Sequence, residues 1–154
     1  MKVVLASLTW QEKIFTLADD GWFPSEVIKT GPVAAAAGLR RLDASASAAS
    51  WSLAGHLRVA FSLPCDRCGR ELRWPVDDHF VYRLVMEDSG AADGEVDDES
   101  AALWLITGPV LDLAEVFRER ALLALPEKAL CAEDCRGMCA DCGADLNQEP
   151  CRCQ

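Results

Sequence analysis

Eight cysteines are the residues in this sequence with the clearest capacity for chemistry, and they occur in four short pairs. Two pairs have the spacing Cys-x-x-Cys-Gly, in which both sulfurs can face one ion while the glycine accommodates the tight turn of a zinc knuckle. One such motif alone is weak support for zinc, because thioredoxin-like redox sites share it, but two copies are stronger. In chain order the pairs are Cys65 and Cys68, Cys131 and Cys135, Cys139 and Cys142, and Cys151 and Cys153.

The number of cysteines matches two complete zinc shells, because a structural zinc ion takes four ligands in a tetrahedron. The most economical division makes one compact site from Cys139, Cys142, Cys151 and Cys153. The second ion is then shared by Cys65, Cys68, Cys131 and Cys135. One alternative has a single zinc in the tail with the other thiols free or packed, and another replaces zinc with an iron–sulfur cluster. The knuckle spacing favours zinc, so we expect two structural zinc ions.

The start of the sequence bears on whether these thiols stay reduced. The apolar run in residues 1–8 is too short for a convincing signal peptide, and polar residues follow it instead of a cleavage site of small residues. No stretch of the sequence approaches the length of a membrane span. We therefore expect a cytoplasmic protein with no membrane partner, where a reducing environment disfavours disulfides and leaves the thiols to metal.

The charge of the chain restricts its partners. Its 25 acids and 15 bases leave a formal net charge of -10, which opposes broad binding to phosphates and suits basic partner proteins. Residues 87–99 hold seven acids and no base; we interpret them as a solvated loop, with contact to a basic partner as the alternative. A local run of arginines is the candidate partner surface, with ordinary surface arginines as the alternative: Arg40, Arg41, Arg58, Arg67, Arg70 and Arg73.

Catalysis finds little support in the sequence. A catalytic zinc keeps one position open for water and usually has histidine or carboxylate ligands, whereas the thiols here suffice to fill both shells. The two histidines, His56 and His79, are expected to be surface or hydrogen-bonded residues. The sequence contains no phosphate-binding glycine loop, no nucleophile elbow and no HExxH motif. We predict that the protein is not an enzyme.

The residues on both sides of the first cysteine pair alternate between apolar and polar side chains, and this period of two predicts β-strands. One strand covers residues 51–63 and a second covers residues 72–86, so Cys65 and Cys68 lie in the turn of a hairpin. Pro75 in the second strand indicates a sheet edge or a bulge. Further expectations are strands near residues 13–17, near residues 33–42 and at residues 103–106, and a loop over residues 43–50.

A helix is predicted after the turn at Gly108 and Pro109. Asp112 followed by Glu115 resembles a capping box at its start, and Pro126 bounds its end. Its apolar face consists of Leu113, Val116, Phe117, Ala121 and Ala124. The predicted fold is α+β, mostly antiparallel β-sheet with one main helix in the C-terminal half. We expect a β-rich domain over residues 1–130, which carries the CxxC hairpin, and a cysteine-rich zinc-binding tail over residues 131–154, packed on it.

Two segments of the sequence resemble the YceD-like family of large-subunit ribosomal RNA accumulation factors. One is residues 55–76, where a strand leads into the first cysteine pair and a second strand follows. The other begins at Asp112 and Leu113, passes through Leu-Ala-Leu-Pro at residues 123–126 and ends in the string Cys-x3-Cys-x-Gly-x-Cys-x2-Cys-Gly-x-x-Leu-Asn at residues 131–147. That string is specific, whereas residues 1–50 match only loosely. Ala140 and Met138 depart from the proline and leucine that are common in the family.

The resemblance implies a role in ribosome biogenesis, no known enzymatic activity, and partners among the ribosomal RNA and/or ribosomal proteins of the large subunit. Some family members lack the cysteine tail, so zinc is assigned here to folding. A second hypothesis, from a different class, is a thiol-based redox or metal-handling protein. That hypothesis requires exposed CxxC pairs, because only accessible thiolates exchange disulfides or metal.

Overall fold

The computed structural model describes residues 1–25, 27–42, 49–87 and 102–153. β-Strands dominate these ranges, which contain one α-helix, α1 (Leu113–Leu123), and one turn of 3₁₀ helix (Leu5–Ser7). The two loops predicted at residues 43–50 and 87–99 lie outside the described residues except at their ends. The strands are β1 (Lys2–Val4), β2 (Lys13–Leu17), β3 (Ile28–Lys29), β4 (Ala34–Arg41), β5 (Ser50–Pro64), β6 (Glu71–Met86), β7 (Ala102–Ile106) and β8 (Val110–Asp112).

A long antiparallel hairpin of β5 and β6 forms the middle of the main sheet. Its register runs from Ser50 opposite Val85 to Pro64 opposite Glu71. Leu53, Leu57 and Phe61 of β5 are fully buried, while the alternate residues, such as His56 and Arg58, point to the other side of the sheet. The alternation in the sequence therefore predicted both strands and the turn between them correctly.

The main sheet has the order β2-β4-β5-β6-β7, and β3 pairs with β5 beyond the end of β4. Its pairings are antiparallel except that of β6 with β7, which is parallel. A short alternating segment predicts a strand but not its direction, so the parallel pairing was not expected. β7 pairs only with residues 82–86 of β6. Within the described part of the chain, the first half of β6 therefore has one neighbouring strand, β5. Pro75 lies in that half, at a sheet edge, as predicted.

Helix α1 covers the inner face of this sheet. Its buried residues are Leu113, Val116, Phe117 and Ala121, four of the five residues of the predicted apolar face. The Asp112 side chain caps the helix by accepting a hydrogen bond from the backbone N–H of Ala114 at 3.0 Å. Near the other end, Arg120 donates two hydrogen bonds to the Asp78 carboxylate of β6, at 2.8 and 2.7 Å. This helix is not long and apolar enough to cross a membrane, and no other helix in the described ranges is either.

A second sheet of two strands, β1 and β8, was not predicted. Val3 of β1 pairs opposite Leu111 of β8, directly before the helix begins. Both residues are buried, as is Leu5, whose carbonyl accepts a hydrogen bond from Trp51 Nε1 at 3.1 Å. The apolar start of the chain thus completes the core between the helix and the main sheet.

Candidate metal centres

The tip of the β5–β6 hairpin and the segment after α1 bring four cysteines together, which we call the hairpin group: Cys65, Cys68, Cys131 and Cys135. The Sγ atoms of Cys65 and Cys135 are 3.8 Å apart, and those of Cys68 and Cys131 are 3.6 Å apart. All four sulfurs lie within 4.8 Å of one another. Three of the four residues are buried and Cys131 is partly so, which keeps this group away from solvent.

The other four cysteines form the tail group: Cys139, Cys142, Cys151 and Cys153. Cys139 Sγ lies 3.5 Å from the Sγ of Cys151 and 3.6 Å from that of Cys153, while the Sγ atoms of Cys142 and Cys151 are 3.9 Å apart. Cys139 is partly buried, and the other three are exposed. The structure therefore assembles the two sets of four that the spacing predicted, one shielded and one open to water.

The sulfur–sulfur distances fit a zinc ion better than a disulfide. A Zn–S bond is about 2.3 Å long, so the sulfurs at the corners of a tetrahedron around zinc are about 3.8 Å apart. The sulfurs of a disulfide are only about 2.05 Å apart. Each group consists of thiols alone, which is a donor set of closed, structural zinc sites. The residues present therefore fit two structural zinc ions.

Each knuckle depends on the glycine that follows its second cysteine. Gly69 has a φ of 70° and Gly143 a φ of 68°, a left-handed conformation that side chains disfavour. In this turn the backbone N–H of Gly69 donates to the carbonyl of Cys65 at 2.8 Å, and that of Gly143 donates to Cys139 at 2.9 Å. The two Cys-x-x-Cys-Gly sequences thus form the same tight turn, as their shared spacing predicted.

The two residues between Cys65 and Cys68 attach the tail to the hairpin. The Asp66 backbone N–H donates to the carbonyl of Ala129 at 2.8 Å, and the Ala129 N–H donates back to Asp66 Oδ2 at 2.6 Å. Arg67 accepts a hydrogen bond at its carbonyl from the N–H of Met138, and its Nη1 donates to the carbonyl of Cys135 at 2.7 Å. These hydrogen bonds attach the hairpin tip to residues on both sides of Cys131 in the sequence and so fix the position of the hairpin group.

Backbone N–H groups lower the pKa of Cys65 in the hairpin group and of Cys139 and Cys142 in the tail group, and so favour their thiolates. Burial raises the pKa of the Cys65 thiol, but hydrogen bonds from the backbone, including those of Arg67 and Cys131, outweigh burial and lower it to about 6. The backbone N–H of Ala144 is the main cause that lowers the pKa of Cys142 to about 6. A thiolate is the form that binds metal, so each group contains at least one cysteine that readily adopts the metal-binding form.

Crowding of the sulfurs has the opposite effect at two other cysteines. Hydrogen bonding with Cys135 and other neighbouring thiols raises the pKa of Cys131 to about 12. The neighbouring thiols, with Cys151 first among them, likewise raise the pKa of Cys153 to about 12. Four thiolates so close together repel one another, and a divalent cation between them removes that repulsion.

The six arginines of the predicted partner surface do not lie together. Arg67 binds the tail, Arg70 forms an ion pair with Asp145 at 3.7 Å, and Arg41 points to the inner side of the sheet, opposite Trp51. The remaining three point away from α1, on the side of the main sheet that we call the outer face. Arg83 of β6, which the sequence analysis did not single out, lies on the same face, directly opposite Ser52 of β5. The outer-face arginines are therefore Arg40, Arg58, Arg73 and Arg83.

The two histidines also lie on the outer face, opposite each other in the β5–β6 ladder. Both His56 and His79 contact the carboxylate of Asp77, a residue to which the sequence gave no role. The hydrogen bond from His56, with the charges of Arg58 and His79 nearby, holds the pKa of Asp77 below its ordinary value. The expectation of hydrogen-bonded surface histidines is thus confirmed. Asp77 could have been found from the sequence, because residues 77 and 79 of one strand lie on the same face of the sheet.

Comparison with known proteins gives a family match. A family model described as large ribosomal RNA subunit accumulation protein YceD matches residues 53–154, the range that contains both cysteine groups. A curated protein of Arabidopsis thaliana, named large ribosomal RNA subunit accumulation protein YCED homolog 1, chloroplastic, is 27% identical over 124 residues. That alignment covers 66% of this chain and 39% of the plant protein, so the chain spans well under half of its relative's length. No solved structure matches.

Proposed function

The chain belongs to the YceD family of large ribosomal RNA subunit accumulation proteins, and from this premise we propose that it is a non-catalytic factor that supports accumulation of large-subunit ribosomal RNA. The observation that carries the proposal is the extent of the match. Residues 53–154 include most of the β5–β6 hairpin, helix α1 and both cysteine groups. The region similar to the family is thus the hairpin together with the tail that is attached to its tip.

We assign the eight cysteines to two structural zinc ions, one in the hairpin group and one in the tail group. The thiol-only donor sets and the sulfur–sulfur distances of 3.5–3.9 Å support this assignment. In this proposal zinc fastens the tail of residues 131–154 to the domain of residues 1–130. A cytoplasmic setting agrees with it, because thiols stay reduced there and available for metal.

The outer face is the surface we propose for contact with large-subunit ribosomal RNA and/or a ribosomal protein. Its four arginines lie on three adjacent strands of a chain whose net charge is -10, so attraction to phosphate is local and does not extend over the whole molecule. Arg58 and Arg73 border an open groove of about 550 Å³, whose floor includes Ala34, Ala60 and Pro75. An exposed segment of RNA or protein can lie in such a groove with its polar groups against the arginines.

Deletion of the gene tests the proposed role. We expect the deletion to lower mature large-subunit RNA relative to small-subunit RNA, and the wild-type gene to restore the ratio. A gene carrying both Arg58→Gln and Arg73→Gln should restore it less well than one carrying Lys128→Gln, an exposed residue after α1 that lies in no strand of the main sheet. Quantification of the two RNAs at normal and low growth temperature provides the measurement. An unchanged ratio in the deletion at both temperatures contradicts the proposed function.

A further inference from the structure

His56, Asp77 and His79 form a cluster that is separate from the cysteines and that the proposed function does not use. In the β5–β6 ladder His56 is directly opposite His79, and the next pair on the same face is Arg58 opposite Asp77. Side chains at such positions are neighbours, since the Cβ atoms of directly opposite residues are only about 4.5–5.5 Å apart. The register of two rigid strands therefore sets the positions of all three groups.

The two imidazoles point at the same atom. His56 Nε2 is 2.5 Å from Asp77 Oδ1, and His79 Nε2 is 3.3 Å from that same oxygen. The rings are stacked, with centroids 3.8 Å apart and planes inclined by 12°, so their Nε2 atoms are side by side. Two ring nitrogens and one carboxylate oxygen thus converge on a common point, and the three atoms lie within 4.8 Å of one another.

Open space adjoins the cluster, because His56 and His79 border one hollow and Asp77 borders the groove of about 550 Å³ described above. On the side of β4, His56 and His79 border a shallow hollow of about 270 Å³ whose lining includes small residues, such as Gly38, together with Glu12 and Ile14. The nearest competing cation is Arg58, whose Nε lies 3.5 Å from the other carboxylate oxygen, Oδ2. The Arg58 side chain is 66% exposed, so it can move into solvent without losing buried contacts.

We propose that His56, Asp77 and His79 bind one divalent transition metal ion, such as Ni²⁺ or Zn²⁺, through the two Nε2 atoms and the Asp77 carboxylate. Imidazole and carboxylate donors suit these metals, whereas Mg²⁺ and Ca²⁺ prefer sites made of oxygen alone. Each imidazole binds in its neutral form, with its remaining proton on Nδ1, so binding at low pH releases protons. Three protein ligands leave the remaining positions of the ion to water.

Titration of the purified protein with Ni²⁺ tests this site. The protein keeps the metal of its cysteine groups, and isothermal titration calorimetry at neutral pH measures the additional binding. We expect one Ni²⁺ per chain in addition to the cysteine-bound metal. His56→Gln and His79→Gln should each weaken Ni²⁺ binding by more than about tenfold, since even the loss of a residue that only orients a ligand costs that much. Arg73→Gln, on the same strand and face, is the matched control and should leave binding unchanged.

Two further measurements separate this site from the cysteines and from misfolding. Absorption spectra of the Ni²⁺-loaded protein should lack a thiolate-to-metal band, and elemental analysis should find the same zinc content in every variant. Thermal unfolding reports whether the variants fold; if a glutamine variant does not, Asp77→Asn takes its place. Absence of saturable Ni²⁺ binding to the wild-type protein overturns the proposal and leaves a histidine–aspartate ion pair only. Binding that survives both histidine substitutions also overturns it.

Discussion

At the scale of single residues, four consecutive positions at the hairpin tip, residues 65–68, both provide metal ligands and attach the tail. Cys65 and Cys68 supply sulfurs, while Asp66 and Arg67 between them supply the hydrogen bonds that hold the tail. The cysteine spacing predicted the two groups that the structure shows, because a compact set of four in the tail leaves the other four thiols to share a second ion. The role of Arg67 could not be predicted, since the sequence gives no sign of whether an arginine in this turn faces solvent or a backbone carbonyl.

The division of ligands leads to a prediction about pairs of substitutions. Cys65→Ser and Cys131→Ser should each release the same single zinc ion, because both remove a ligand from the hairpin group. The double variant should be little less stable than either single variant, since one broken shell cannot be lost twice. Elemental analysis and chemical denaturation measure these effects.

Cys142→Ser is the control for this pair, because it breaks the tail group instead. Combined with Cys65→Ser, it should remove both ions and lower stability by roughly the sum of the two single effects. If Cys65→Ser keeps all its metal while Cys131→Ser loses one ion, the hairpin group is not a shared site.

At the scale of elements, the β5–β6 hairpin owes its close packing to one glycine. Gly55 is directly opposite Phe80, and a Cβ added at Gly55 would lie 2.0 Å from Cζ of that ring. The ring instead lies across the glycine and packs on Phe117 of α1, with centroids 5.7 Å apart. Arg120 of the helix covers it from outside, with its guanidinium carbon 4.9 Å from the ring centroid. The glycine therefore makes room for the contact between sheet and helix.

Gly55→Ala should destabilise the protein by about 1–3 kcal/mol, because the added methyl group displaces the Phe80 ring. Phe80→Leu costs stability by itself, but it should reduce the extra cost of Gly55→Ala in the double variant. Gly38→Ala on β4 is the matched control, since the three atoms nearest to its added Cβ all belong to the flexible side chain of Glu12. Urea denaturation of the four variants gives the free energies of unfolding. Equal costs at residues 55 and 38 would contradict this role of Phe80.

The elements that the sequence predicted are those long enough to show a period. β5 and β6 have 15 and 16 residues, and their alternation repeats many times. β1, β3 and β8 have only two or three residues each, too few for a repeat, so they were missed. β3 forms beside β5, which has free hydrogen-bonding groups beyond the end of β4, whereas β1 and β8 satisfy each other's groups, and both pairings are properties of the tertiary structure.

At the scale of the whole molecule, the two cysteine groups differ in their exposure to water, and this predicts an order of metal loss. The purified protein should contain two zinc ions per chain, one for each group. A chelator should remove the ion of the exposed tail group first and leave the fold intact. Removal of the second ion, from the buried hairpin group, should coincide with substantial unfolding, because binding and folding are coupled there.

Native mass spectrometry can count the ions that remain at each stage, and near-ultraviolet circular dichroism can follow the tryptophans. In Cys142→Ser, only the second, slow stage should be left. Loss of both ions in a single step, or unfolding at the first loss, would show that the groups do not differ as their exposure indicates.

The long separation between the two halves of the hairpin group has a consequence for synthesis of the chain. Cys68 leaves the ribosome 63 residues before Cys131, and Cys65 leaves it 70 residues before Cys135. During that interval the hairpin can pair its strands, but its tip has only two of the four sulfurs that zinc requires. A chain whose translation stops before Cys131 thus has only two of the four zinc ligands at the tip of its hairpin. Metal capture at this position becomes a late step of folding, open only to chains translated past Cys135.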